Sequence, residues 1–127
     1  MANRAAVNKG MDLVMWQKLM SYVTEVYRLT DLFPVHEVYG LGSDMRRSAL
    51  RTPQCVAQGY GTCSKSDYIR FMNTAEKSLG DILLLLEKSL NLDYVKRNDV
   101  ERLSDCSREI GKMLKALKKT RLVSKVA

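Results

Sequence analysis

The sequence predicts an all-α protein: an antiparallel up-down four-helix bundle with a kinked second helix. Three observations predict it. Apolar residues recur every three or four positions over long stretches, glycines and prolines are few, and no alternating apolar-polar run is present that could build a sheet. The chain has 127 residues, seven glycines, two prolines and 46% apolar residues. That content is too apolar for a disordered chain, and the length suits one domain with a modest core.

The first helix is expected over about residues 12–32, where Leu13, Trp16, Met20, Val23 and Tyr27 recur at helical spacing. Asp12 is its expected N-cap, and Phe33-Pro34 ends it because a residue before proline avoids the helical region. The second helix is expected over about residues 43–59, with Leu41, Met45, Ala49, Thr52 and Val56 on one side. Pro53 in its middle removes a hydrogen bond and predicts the kink, and Gly59 and Gly61 are expected to stop it.

The stretch "GYGTCSKS" at residues 59–66 comes within one residue of a phosphate-cradling loop. Gly59, Lys65 and Ser66 are in register, but Ser64 stands where the second glycine belongs. Such a loop must follow a buried strand, and an Arg-rich amphipathic segment precedes it here. The stretch therefore reads as an interhelical turn in which Ser64 and Asp67 form a capping box for a third helix over about residues 64–92. Tyr68, Phe71, Met72, Ala75, Leu79, Ile82, Leu83, Leu86 and Leu90 supply its apolar stripe. Leu84 and Leu85 carry apolar surface round to a second face, which suits a central helix of one bundle or a subunit interface. The fourth helix is expected over about residues 98–119, capped by Asn98 or Asp99 and lined by Val100, Leu103, Ile110, Leu114 and Leu117. Segments 1–10 and 120–127 are expected to fray.

Formal charge is uneven. The net charge is +7 and the pI about 9.5, a balance that suits a polyanionic partner. From Ile110 to Ala127 there are six basic residues and no acid. Lys112, Lys115 and Lys119 share a helical face, with Lys118 and Arg121 beside them. A second group is Arg46, Arg47 and Arg51, which Lys65 and Arg70 extend across the turn. Cationic side chains of this kind neutralise phosphates and release counterions, so both groups are candidate nucleic-acid contacts. A structural alternative stands beside this: Arg46 or Arg47 pairs with Asp44 or with an acid across a subunit contact.

Chemistry-bearing constellations are weak. Cys55, Cys63 and Cys106 are odd in number and lack metal-ligand spacing, and His36 is the single histidine. No cofactor, metal site or catalytic residue is expected, and the chain reads as non-enzymatic. The N-terminal stretch lacks a signal-peptide apolar core, and the longest apolar run, "ILLLL", is far too short to cross a membrane. A cytoplasmic protein with reduced thiols and no membrane partner is expected.

Three stretches resemble a known family. These are "MDLVMWQKLMSYVTEVYRLTDLFP", "YGLGSDMRRSALRTP" and "AQGYGTCSKSDYIRFMNTAEKSLGDI". Taken in order they resemble the four-helix-bundle proteins encoded in intervening sequences of bacterial large-subunit ribosomal RNA genes, whose distant relatives are accessory proteins of diversity-generating retroelements. The resemblance covers about residues 12–117. It implies a small basic bundle that assembles into a ring-like homo-oligomer, typically a pentamer. For the retroelement relatives it also implies binding to RNA or DNA and to a reverse transcriptase. After the proline the family commonly shows Ala-Asn-Ile-Ala-Glu-Gly, whereas Gln54, Cys55, Val56, Ala57, Gln58 and Gly59 stand here. The expected function is a basic, oligomeric nucleic-acid-binding accessory subunit of a ribonucleoprotein. The alternative is a structural homo-oligomer that docks an acidic protein partner without binding nucleic acid.

Overall fold

A computed structural model describes residues 13–126, and the side chains of residues 13–120. The described residues form four α-helices, a single turn of 3-10 helix and no strand. Helix α1 spans Leu13–Thr30, α2 Leu41–Gly61, α3 Lys65–Asn91 and α4 Arg97–Val126, with the 3-10 turn at Val35–Glu37. The widest helix contact is between α2 and α3, followed by α3 with α4, α1 with α2 and α1 with α4. Among the described residues the backbones of the other two helix pairs do not approach closely, so each helix packs chiefly against two neighbours.

The core is built from apolar stripes. In α2, Leu41, Met45, Ala49, Thr52 and Val56 are all buried, as their spacing predicts. In α3 the buried apolar residues are Tyr68, Met72, Ala75, Leu79, Ile82 and Leu86, with Ser78 and Ser89 buried among them, while Phe71, Leu83 and Leu90 are half-buried at the stripe's edges. In α4, Val100, Leu103, Ile110 and Leu114 are buried, with Ser107 filling the one stripe position that lacks an apolar residue.

Helix α1 differs from expectation. The buried face is Met15, Leu19, Tyr22, Val23, Val26 and Leu29. Of the expected stripe only Val23 is buried; Trp16 and Met20 are half-buried, and Leu13 and Tyr27 are exposed. The helix carries apolar residues round more than half of its surface. Periodicity therefore admits two registers, and contact with α2 and α4 selects the one centred on Leu19 and Val26.

Boundaries move for local reasons. Helix α2 begins at Leu41, with no side-chain cap on Gly40; instead Glu37 Oε1 accepts the Leu41 N–H at 3.2 Å. The same carboxylate accepts the Tyr94 hydroxyl at 2.9 Å, tying the first loop to the α3–α4 junction. Helix α2 is continuous through Pro53, which is itself buried. Gly59 does not stop α2: it lies inside the last turn, where a Cβ would stand 2.5 Å from Met72 Cε, so its bare backbone lets α3 approach. Ser64 caps α3, accepting the Asp67 N–H at 3.2 Å. The capping box is only half formed, because the Asp67 carboxylate turns to Arg70 and the Ser64 N–H goes to Thr62 Oγ1. Helix α4 begins at Arg97, with the Asp99 carboxylate accepting the Lys96 N–H at 3.2 Å. It runs on to Val126, past the Lys119 limit read from the sequence, since no glycine or proline follows to break it. The expected cap Asp12 and the segment 1–10 lie outside the described residues.

Candidate nucleic-acid interface and an interhelical groove

Helix register decides where the sequence-predicted cations come together. Along the α2–α3 seam, Met45 meets Ser89 at 3.5 Å, Thr52 meets Ser78 at 2.5 Å, and Gly59 lies against Met72. Residue numbers therefore fall on α3 as they rise on α2. Arg46 sits beside the end of α1, and it and Arg47 lie level with the last turns of α3, whereas Lys65 and Arg70 lie level with the last turns of α2. At the α3–α4 seam, Lys118 Nζ lies 2.8 Å from Asn73 Oδ1 and 2.5 Å from Glu76 Oε1. Lys65 and Arg70 thus share an end of the fold with the C-terminal lysines rather than with Arg46 and Arg47.

Several of these cations already have partners. Arg46 Nε donates to Thr30 Oγ1 at 3.1 Å, and its guanidinium lies 5.7 Å from the centre of the Tyr27 ring. This ties α2 to α1, so Arg46 is a packing residue as well as a charge. Arg47 pairs with Asp44 at 3.4 Å and reaches Ser43, and Arg70 pairs with Asp67 at 3.0 Å while lying over Phe71. Both are exposed pairs within one helix, weak enough for a phosphate to compete. Glu76 holds Lys118 and, more loosely, Lys115 at 3.7 Å. The Lys118 contact does not follow a hydrogen-bond direction at Oε1, but opposite charges 2.5 Å apart make it an ion pair.

Arg51, Lys65, Lys112 and Lys119 make no side-chain ion pair or hydrogen bond among the described residues. Arg51, Lys112 and Lys119 are exposed and Lys65 is half-buried. The Arg121 side chain lies outside the described residues. Leu84 and Leu85 separate: Leu84 is 74% exposed, while Leu85 is half-buried against the core.

An open groove of about 360 Å³ runs between α3 and α4. Leu79 and Leu83 form its floor, and Gly80, Ser104, Ser107 and Gly111 contribute little or no side chain. Arg108, Lys112 and Lys115 stand along the α4 wall, opposite Glu76. Sequence reading missed Arg108, Glu76 and the two glycines; the available signal was a glycine inside each of two strong helical patterns.

The thiols do not converge. Cys55 is buried, Cys106 half-buried and Cys63 exposed, and none is in a disulfide. Burial pushes the Cys55 and Cys106 thiols up, against the reactive thiolate form. Cys106 lines a second cleft of about 320 Å³ with Val14, Gln17, Lys18 and Ser21. No group of three His, Cys, Asp or Glu side chains among the described residues could hold a metal ion. No described helix is long and apolar enough to cross a membrane.

The family described as 23S rRNA-intervening sequence protein matches residues 11–116. The chain belongs to that family. No curated protein matches it. Among solved structures, it is similar to a protein of unknown function from the S23 ribosomal protein family of Bacteroides thetaiotaomicron. The TM-score is 0.74 at 21% identity, covering 83% of this chain and 98% of the other. At that identity the likeness shows the fold. Within the 23S rRNA-intervening sequence protein family, this member thus combines the helical frame with a partly neutralised cationic surface.

Proposed function

We propose that this protein is a non-enzymatic, basic nucleic-acid-binding subunit that works in the cytoplasm as a ring-like homo-oligomer of up-down bundles. The pentamer implied by the sequence resemblance is its expected size. Its proposed role is accessory to a ribonucleoprotein, such as the reverse transcriptase of a diversity-generating retroelement. The observation that supports this reading is the set of cations without partners among the described residues along the α3–α4 pair, Lys112 at the middle of α4 with Lys119 and Lys65 towards one end, on a chain of net charge +7. Arg51 adds a further unpaired cation on α2, and Arg47 and Arg70 are available through exchange of weak pairs. Such side chains contact phosphate rather than base edges, so binding is expected to be sequence-tolerant. A ring repeats the patch and raises avidity without new contacts.

Titration of labelled RNA and DNA oligonucleotides at several salt concentrations tests the proposal. Each phosphate neutralised on duplex DNA contributes about −0.9 to the slope of log K against log salt. Lys112→Glu with Lys119→Glu should flatten that slope and weaken binding, while the circular-dichroism spectrum stays helical. No binding of either nucleic acid even at low salt would overturn the proposal. Mass in solution tests the assembly separately.

A further inference from the structure

We propose that the groove between α3 and α4 is the docking site for an acidic amphipathic helix of a protein partner. The groove shares Lys112 and Lys115 with the proposed nucleic-acid surface, so the test below separates the two ligands at Gly80 and Arg108.

The argument starts from two glycines. Gly80 lies in the middle of α3 and Gly111 in the middle of α4, where glycine weakens a helix relative to alanine. Packing within the chain explains neither. A Cβ on Gly80 would meet nothing within 4 Å, and one on Gly111 would make a single ordinary contact, 3.9 Å from Leu79 Cδ1. Gly59 is the contrast, since there α3 itself fills the space. Both unexplained glycines open onto the same groove, with Ser104 and Ser107 along it. The result is an open channel in which the backbone is nearly bare at these four positions, which lets a second helix cylinder approach closely between the charged side chains.

The floor and walls select the occupant. Leu79 and Leu83 offer apolar contact, and Leu84, 74% exposed on the neighbouring face, extends it. Among the described residues no aromatic ring lines the groove, so they offer bases no stacking platform. The charge is one-sided: Lys112 is unpaired, Lys115 is held only loosely by Glu76, and Arg108 pairs outside the groove with Asp105. Glu76, the one acid among the described residues that line the groove, is occupied by Lys118. A helix with leucine-type residues on one face and carboxylates at its margin matches both features.

The test uses the full-length protein, labelled with nitrogen-15, and two designed helical peptides. One carries leucines at helical spacing flanked by glutamates, and the other replaces the glutamates by lysines. The acidic peptide is expected to shift the Gly80 and Gly111 amides, with smaller shifts at Ser104 and Ser107. Gly80→Leu places a side chain in open space, so the fold should survive, and it should weaken peptide binding at least tenfold. Arg108→Glu should weaken it several-fold. Neither residue belongs to the proposed nucleic-acid contacts, so oligonucleotide binding should survive Gly80→Leu. Shifts at Gly80 and Gly111 caused equally by the lysine peptide would overturn the charge argument. Unchanged binding to the Gly80→Leu protein, shifts mapping elsewhere, or no shifts with the acidic peptide would overturn the site. Shifts in the groove from a short RNA duplex but not from the acidic peptide would assign the surface to a polyanion instead.

Discussion

The hydroxyls of Thr52 on α2 and Ser78 on α3 meet at 2.5 Å in the centre of the fold, each side chain fully buried. Ser78 Oγ also donates to the Ala75 carbonyl at 2.6 Å. Having spent its single proton there, Ser78 must accept from Thr52. Two buried polar groups are thus satisfied in series across the widest helix contact.

That order makes the two truncations unequal. Ser78→Ala leaves the Thr52 hydroxyl buried without a partner and should cost about 1–3 kcal/mol. Thr52→Val keeps the shape and leaves Ser78 still donating to Ala75, so it should cost less. The double variant should be more stable than the sum of the singles predicts, which urea melts in a double-mutant cycle will measure. Additive effects would show that the hydroxyls do not interact.

Tyr22 presents the opposite case. Its ring is fully buried between core residues, and its hydroxyl is buried without a hydrogen-bond partner among the described residues. Burial, with a smaller contribution from Cys106, pushes the phenol far above its ordinary value. Tyr22→Phe keeps the ring and removes an unsatisfied group, so stability should rise by up to about 1–2 kcal/mol. A loss of stability in a thermal melt would mean the hydroxyl has a partner.

Glu37 predicts an acid-side weakness. The Leu41 N–H and then the Tyr94 hydroxyl hold its carboxyl below the ordinary value of 4.5, with smaller help from His36 and Lys88. A lowered folded-state value means that the folded protein binds this proton more weakly than the unfolded chain. The stabilisation is therefore complete above the ordinary value and lost as pH falls below it towards the folded value. Glu37→Gln keeps an acceptor without the charge, so the stability gap between wild type and variant should close on acidification through that window. A gap independent of pH would remove Glu37 as its source.

Gly59 predicts a size limit. Gly59→Ala gains helix propensity, worth about 1 kcal/mol in a helix interior and less in this last turn. Its Cβ displaces only the flexible methyl end of Met72, so stability should stay within about 1 kcal/mol of wild type. Gly59→Leu overfills the seam and should cost about 1–3 kcal/mol, a cost that a Met72→Ala background should reduce. Equal cost in both backgrounds would show that Met72 is not the obstacle.

The stripes of α2, α3 and α4 were legible in the sequence, because a 3.6-residue repeat and a nearby stop signal are properties of contiguous residues. So was Ser64 as a cap, since the serine reaches an N–H only three positions on. The face of α1 was not legible, because Leu13, Trp16, Met20 and Tyr27 form an apolar row as regular as the buried one, and only packing against α2 and α4 discriminates between them. Nor was the cap that Glu37 places on Leu41, which depends on the fold of the intervening turn.

The sequence by itself determined the helices, the greasy sides of α2, α3 and α4, the basic excess and the family. The tertiary structure alone decided which cations remain available. Glu76 neutralises Lys118 from a different helix, and Thr30 and Tyr27 hold Arg46 across the α1–α2 contact. Helix formation is governed by neighbours within one or two turns. Charge pairing and grooves are set by the rotation and register of separate helices, which only closure of the whole core fixes.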